Sequence, residues 1–216
     1  KKTDKVIEES VDYNVTFDPE QNRLVAKLTI ERTHHGEKNE LFYGAQNVDY
    51  LRVYTPGGTR LISAQGFDPS PMAPKTFFDS PDWLVPDGDV DKIERNKTKD
   101  QRSNTDVYES FGKTVFGNWI LTKPQETKKV TLTYELPFRT RTMSQQIFYD
   151  LLIQKQSGSD ISDFHLSLTH PITWEILASD FINGRTQRSI EDLNETYSIP
   201  SFSMEKDTPL HFLFHH

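Results

Sequence analysis

The chain has 216 residues, with 25 Lys plus Arg against 32 Asp plus Glu, and the resulting net charge of −7 disfavours nucleic acid and anionic membrane surfaces as partners. It contains no cysteine, which excludes disulfides, thiolate catalysis and Cys-ligated zinc together. No apolar run approaches the ~18 to 20 residues of a membrane span, and the length suffices for a core built on 14 Phe, 8 Tyr and 3 Trp.

Val11, Tyr13, Val15 and Phe17 alternate with polar residues. After the turn-forming Asp18-Pro19-Glu20-Gln21-Asn22, the same period-two pattern returns in Leu24, Ala26, Leu28 and Ile30. That pattern predicts an opening β-hairpin. Val48 to Tyr54 predicts a third strand, and Pro56-Gly57-Gly58 turns it towards Arg60 to Ala64 as a second strand pair. From Phe67 to Tyr108 the periodicity is lost among Pro69, Pro71, Pro74, Pro81, Pro86 and an Asp/Lys/Asn/Thr-rich run, which predicts one long irregular loop. Lys113 to Leu121 and Val130 to Leu136 predict another hairpin, and Ile147 to Gln154 with Phe164, Leu166 and Leu168 repeats the style. Trp174 to Ala178, Tyr197 to Ile199 and Leu210 to Phe214 are shorter strands, and Ser189 to Asn194 alone suggests a helical turn.

The expected fold is therefore all-β: an antiparallel, Ig-like β-sandwich of about ten strands with little helix and one long loop. Residues 11–139 form a sandwich carrying loop 67–108. Residues 140–214 add strands that either complete it or build a second small sandwich packed on it. The start, Lys1-Lys2-Thr3-Asp4, reads as internal to a longer protein, and His215-His216 as a purification-tag remnant.

Four ordered segments carry a family resemblance. They are Ser10-Val11-Asp12-Tyr13-Asn14-Val15, Tyr50 through Gly58, Gly112 through Ile120, and Leu151 through Gly158; Lys128 to Pro137 and Lys206 to Phe212 add to them. Together they resemble the C-terminal region of a bacterial domain-of-unknown-function family, number four thousand and twelve. The resemblance implies an extracytoplasmic segment of a larger protein anchored by a transmembrane helix. It implies no reaction.

Four groups of residues are candidates for chemistry or binding. His34-His35, His165, His170 and His211 show no metal-ligand spacing; His34-His35 reads as part of a solvated turn and His165 as facing solvent. Asp87, Asp89 and Asp91 alternate in one acidic loop, where hard oxygen ligands would suit calcium, but the Gly and twelfth-position Glu of an EF-hand loop are missing. Phe77, Phe78 and Trp83 sit among the prolines and either tuck into the sandwich or form a partner or glycan platform. Trp119 and Trp174 fall in strand patterns and read as core packing. No nucleophile elbow or cofactor fingerprint is present, so the chain reads as a non-catalytic surface module for binding or spacing, its partner a cell-envelope glycan or surface protein. The alternative is an accessory domain of an enzyme that processes or assembles envelope polysaccharide.

Overall fold

The computed structural model describes residues 2–71, 88–139, 145–156, 158, 161–180, 184–189 and 193–215. A short 3-10 turn, Lys2–Val6, leads into β1 (Ile7–Asp18) and β2 (Arg23–His34), paired in register from Ile7 opposite His34 to Asp18 opposite Arg23. The turn between them closes as expected: Asp18 accepts from the Gln21 N–H at 3.0 Å, and Asn22 takes the left-handed conformation at φ 52°.

The remaining strands are β3 (Asn47–Pro56), β4 (Arg60–Gln65), β5 (Arg95–Lys99), β6 (Asp106–Ser110), β7 (Lys113–Thr122), β8 (Thr127–Leu136) and β9 (Gln146–Ile153). They are followed by β10 (Ile161–Pro171), β11 (Glu175–Ser179), β12 (Arg185–Ser189), β13 (Asn194–Ser198) and β14 (Thr208–His215). One six-residue helix, α1 (Gly88–Ile93), precedes β5. The strands form a seven-stranded sheet in the order β12-β13-β10-β1-β2-β8-β4, faced by a four-stranded sheet, β3-β7-β6-β5, and a three-stranded sheet, β11-β14-β9. The all-β sandwich is thus present, with its second layer split in two.

Several expectations need correcting. β3 and β4 do not pair with each other: β3 pairs with β7 and β4 with β8, so Gly57-Gly58 carries the chain from one layer to the other. β7 and β8 likewise belong to different layers. Alternation and turn residues report that a strand reverses, but say nothing of which strand becomes its neighbour. Within 67–108, the polar run contains α1 and the β5–β6 pair, because Asp100 closes the intervening turn on Ser103 N–H at 2.8 Å. Ser189 and Asn194, the ends of the expected helical turn, pair with each other as the last residue of β12 and the first of β13, and residues 190–192 between them lie outside the described residues. His215 extends β14, in register with Gln146 and Glu175.

Among the described residues every ladder is antiparallel except β1 with β10, where Val11 to Thr16 run parallel to Phe164 to Thr169. One contiguous core links all three sheets. Phe17 of β1 packs against Phe214 at 4.9 Å, Tyr149 at 5.6 Å and Trp174 at 5.7 Å, while Phe116 of β7 meets Tyr134 of β8 at 5.6 Å. Ring contacts of this kind add about 0.5–1.5 kcal/mol each beyond the area they bury. Asp68, just after β4, ties the layers together: its carboxylate accepts from Leu121 N–H at 2.8 Å and pairs with Lys128 at 2.5 Å.

Candidate functional site: an interlayer groove

Because the second layer is split, a groove opens between its two sheets, with the large sheet as its floor. It encloses about 900 Å³. One wall is β3 from Arg52 to Pro56, the other is β9 and its continuation from Tyr149 to Gln156. Leu28, Leu136 and Phe164 give the floor an apolar surface, and Phe111, Phe138 and Leu152 stand exposed at the rim.

Tyr13, Tyr134 and Tyr149 converge on the floor from three strands, each 7% exposed or less. A buried phenol needs a partner. Tyr13 hydrogen-bonds to both others, and burial raises all three hydroxyls above their ordinary pKa, those of Tyr134 and Tyr149 by a wide margin. They are neutral hydrogen-bonding groups, with no phenolate available for chemistry.

The rim is mainly cationic. Arg52, Lys113, Lys155 and His211 line it, against the single carboxylate of Asp150. His211 Nδ1 lies 2.8 Å from Asp150 Oδ1, and that hydrogen bond, aided by Asp180, raises the imidazole above its ordinary pKa. Asp180 also accepts from the His211 backbone N–H at 2.7 Å. The one aliphatic hydroxyl in the lining, Thr55 Oγ1, donates to Thr114 O at 2.9 Å.

A second polar cluster lies on the face of the four-stranded sheet turned away from the core. Tyr50 donates to Asp106 at 2.5 Å and packs on Trp119 at 5.0 Å, while Lys99 pairs with Asp106 at 2.9 Å. Burial and the neighbouring carboxylate push the Tyr50 phenol well up. For Asp106, burial opposes ionisation, but hydrogen bonds from Tyr50 and Lys99 prevail and hold it below the usual carboxylate range. Burial takes the neighbouring Tyr108 up to about 12.

The residues singled out from sequence do not assemble into this site. Phe77, Phe78, Trp83 and Asp87 lie outside the described residues. Asp89 is exposed and pairs with Lys92 at 2.8 Å; Asp91 falls in α1, and no acidic or histidine cluster able to hold a metal occurs among the described residues. His34 is fully buried, correcting the solvated-turn expectation: β2 runs on to include it, and its ring accepts from Gly36 N–H and donates to Ala45 O, both at 3.1 Å. His35 is exposed beside Glu8, and His165 is part-exposed beside Asp12. Trp174 is core, whereas Trp119 is half-buried on the outer face against Tyr50. The groove was missed because its parts come from strands far apart in sequence. The inward-facing Tyr13, Tyr134 and Tyr149, which sit where Leu or Val would serve packing alone, were the available signal.

No family model matches the chain, and no curated protein matches it. Similar solved structures include an M1 zinc metallopeptidase E323A mutant from Deinococcus radiodurans bound to a Tyr-Ser-Ala substrate, at TM-score 0.43 and 13% identity over 97% of this chain. A two-domain M1 zinc metallopeptidase E323A mutant bound to L-tryptophan gives 0.43 and 12% over 97%. The M1 zinc metallopeptidase from Deinococcus radiodurans gives 0.41 and 12% over 96%. The chain spans about two fifths of the length of these structures, 42%, 43% and 41% respectively.

Proposed function

We propose that this chain is a non-catalytic binding module of an extracytoplasmic, membrane-anchored bacterial protein, and that the interlayer groove is its recognition surface. The observation that carries the reading is the composition of the groove: an apolar and tyrosine floor, exposed aromatic and aliphatic side chains at the mouth, and a cationic rim on an acidic chain. Concave apolar surfaces with a few placed polar groups are how proteins capture partners. The polar groups here are arranged to hold: the phenols bond to one another, Thr55 bonds to a backbone carbonyl, and His211 is tethered to Asp150. The extracytoplasmic placement rests on the ordered sequence resemblance. No helix among the described residues is long and apolar enough to cross a membrane.

The test is binding of the chain to a panel of envelope glycans and intact bacterial cells. A Tyr54→Asp/Leu152→Asp variant alters two exposed groove residues, and a Thr131→Asp variant serves as a control on the opposite face of the large sheet. Binding weakened roughly tenfold or more by the groove variant alone is the expected result. Binding insensitive to the groove, or no binding in any arm, overturns recognition through this surface and leaves a spacer.

A further inference from the structure

We infer that the groove takes an extended peptide of a partner protein by strand addition between β3 and β9, an inference that rests on the binding reading above. Three sheets have six edges, β12, β4, β11, β9, β3 and β5. Sheet edges invite foreign strands, and proteins guard them with charge, proline or irregularity. β12 reads Arg-Thr-Gln-Arg-Ser and β5 reads Arg-Asn-Lys-Thr-Lys, both polar and charged. β4 and β11 each carry a register shift, between Leu61 and Ser63 and between Ile176 and Ala178.

The two remaining edges keep an unbroken register, and their charges are few: Asp49 and Arg52 on β3 and Asp150 on β9. β3 keeps unbroken register with β7 over ten residues and meets proline only at its last position. β9 keeps unbroken register with β14 over eight residues and contains no Lys, Arg or Pro. Both edges border the groove. Each has one hydrogen-bonded neighbour among the described strands, and the groove is lined by consecutive residues of both, 52–56 and 149–156. Consecutive lining means that the backbone itself, with side chains of both faces, borders the gap.

An added strand would offer N–H and C=O groups to both walls, with alternate side chains falling on Leu28, Tyr134, Leu136 and Phe164. The rim specifies the rest of the ligand. Arg52, Lys113, Lys155 and His211 line it with one carboxylate, Asp150, while Arg52 also pairs with Glu94 at 3.2 Å and His211 lies beside Asp180. The peptide so defined has apolar residues at alternate positions and carboxylates at its ends.

The experiment selects ten-residue peptides from a display library with apolar residues fixed at alternate positions, against the intact chain. Enriched peptides are remade with N-methyl groups on alternate amides, and dodecanoate is measured in parallel. The expected result is enrichment of Asp- or Glu-flanked sequences, affinity reduced roughly tenfold or more by N-methylation in one of the two registers, and weaker, less salt-sensitive binding to Lys113→Glu. Lys113 is exposed, so that variant should fold normally. Peptides that bind equally when N-methylated, dodecanoate binding without peptide binding, or no enrichment each overturn strand addition. Cell or glycan binding that still depends on Tyr54 and Leu152 would leave the recognition reading standing in those cases.

Discussion

Replacing Gly117 by Ala should destabilise the four-stranded sheet out of proportion to a single methyl group. Gly117 lies in β7 opposite Arg52 and Asp106, and the Tyr50 side chain crosses directly over it to reach the Asp106 carboxylate. A Cβ at Gly117 would sit 2.8 Å from Tyr50 Cζ and 3.0 Å from Cε1, and closer still to the hydroxyl. Real Cβ atoms do not approach aromatic carbons so closely, so Tyr50 must move. Its departure removes a hydrogen bond to an ionised group, worth about 1.5–3 kcal/mol. It also removes the edge-on contact with Trp119, worth about 0.5–1.5 kcal/mol. The sum is about 2–4 kcal/mol, which for a domain of this size lowers Tm by roughly 4–16 °C. The assay is urea unfolding of wild type, Gly117→Ala, Tyr50→Leu and the double variant. Tyr50→Leu removes the obstructing ring, so the two costs should be strongly non-additive, the double variant resembling Tyr50→Leu alone. A loss under ~0.5 kcal/mol for Gly117→Ala, or additive costs, would refute the reasoning.

Tyr13→Phe should cost about 1–3 kcal/mol in urea unfolding, because Tyr134 and Tyr149 lose their shared partner while the core keeps its volume. Asp68→Ala removes the Leu121 N–H acceptor and the partner of Lys128 and should cost about 1.5–3 kcal/mol, with Asp68→Asn recovering part of it. His170 is 1% exposed, and burial lowers its pKa, outweighing the Pro171 carbonyl and Glu195. Below pH ~6.5 the unfolded chain therefore binds a proton that the folded chain refuses, so stability should fall as pH drops from that value towards the depressed folded pKa. In His170→Phe, the decline of Tm between pH 7.5 and 5.5 should be shallower than in wild type; an unchanged decline would assign it to other groups.

Legibility in the sequence followed burial. β1, β2, β8 and β10 each show one apolar face because each packs on the core from the large sheet, and alternation reports that directly. β5 and β12, Arg-Asn-Lys-Thr-Lys and Arg-Thr-Gln-Arg-Ser, are strands by backbone pairing to a neighbour, with no apolar face to reveal them. Arg32 and His34 sit at inward positions of β2 where the pattern turns polar; they are buried because Asp49, Glu9 and local backbone groups satisfy them, a long-range fact that periodicity cannot carry. The groove is harder still, since its walls are defined by which edges lack neighbours, and pairing partners were what the turns left open.

The parallel ladder between β1 and β10 sets the order in which the molecule can be made. Asn14 of β1 meets Ser167 of β10, 153 residues later, at the centre of the large sheet. Pairings of such sequence separation form slowly, since a long loop must close before any contact rewards it. On a ribosome, the opening hairpin would emerge with one flank of β1 bare and wait for most of the chain before that flank was covered. Residues 11–139 alone would keep that flank permanently open and lack Phe212 and Phe214 of the shared core. Such a fragment invites edge-to-edge association, because the core it would need is completed by strands from the second half of the sequence.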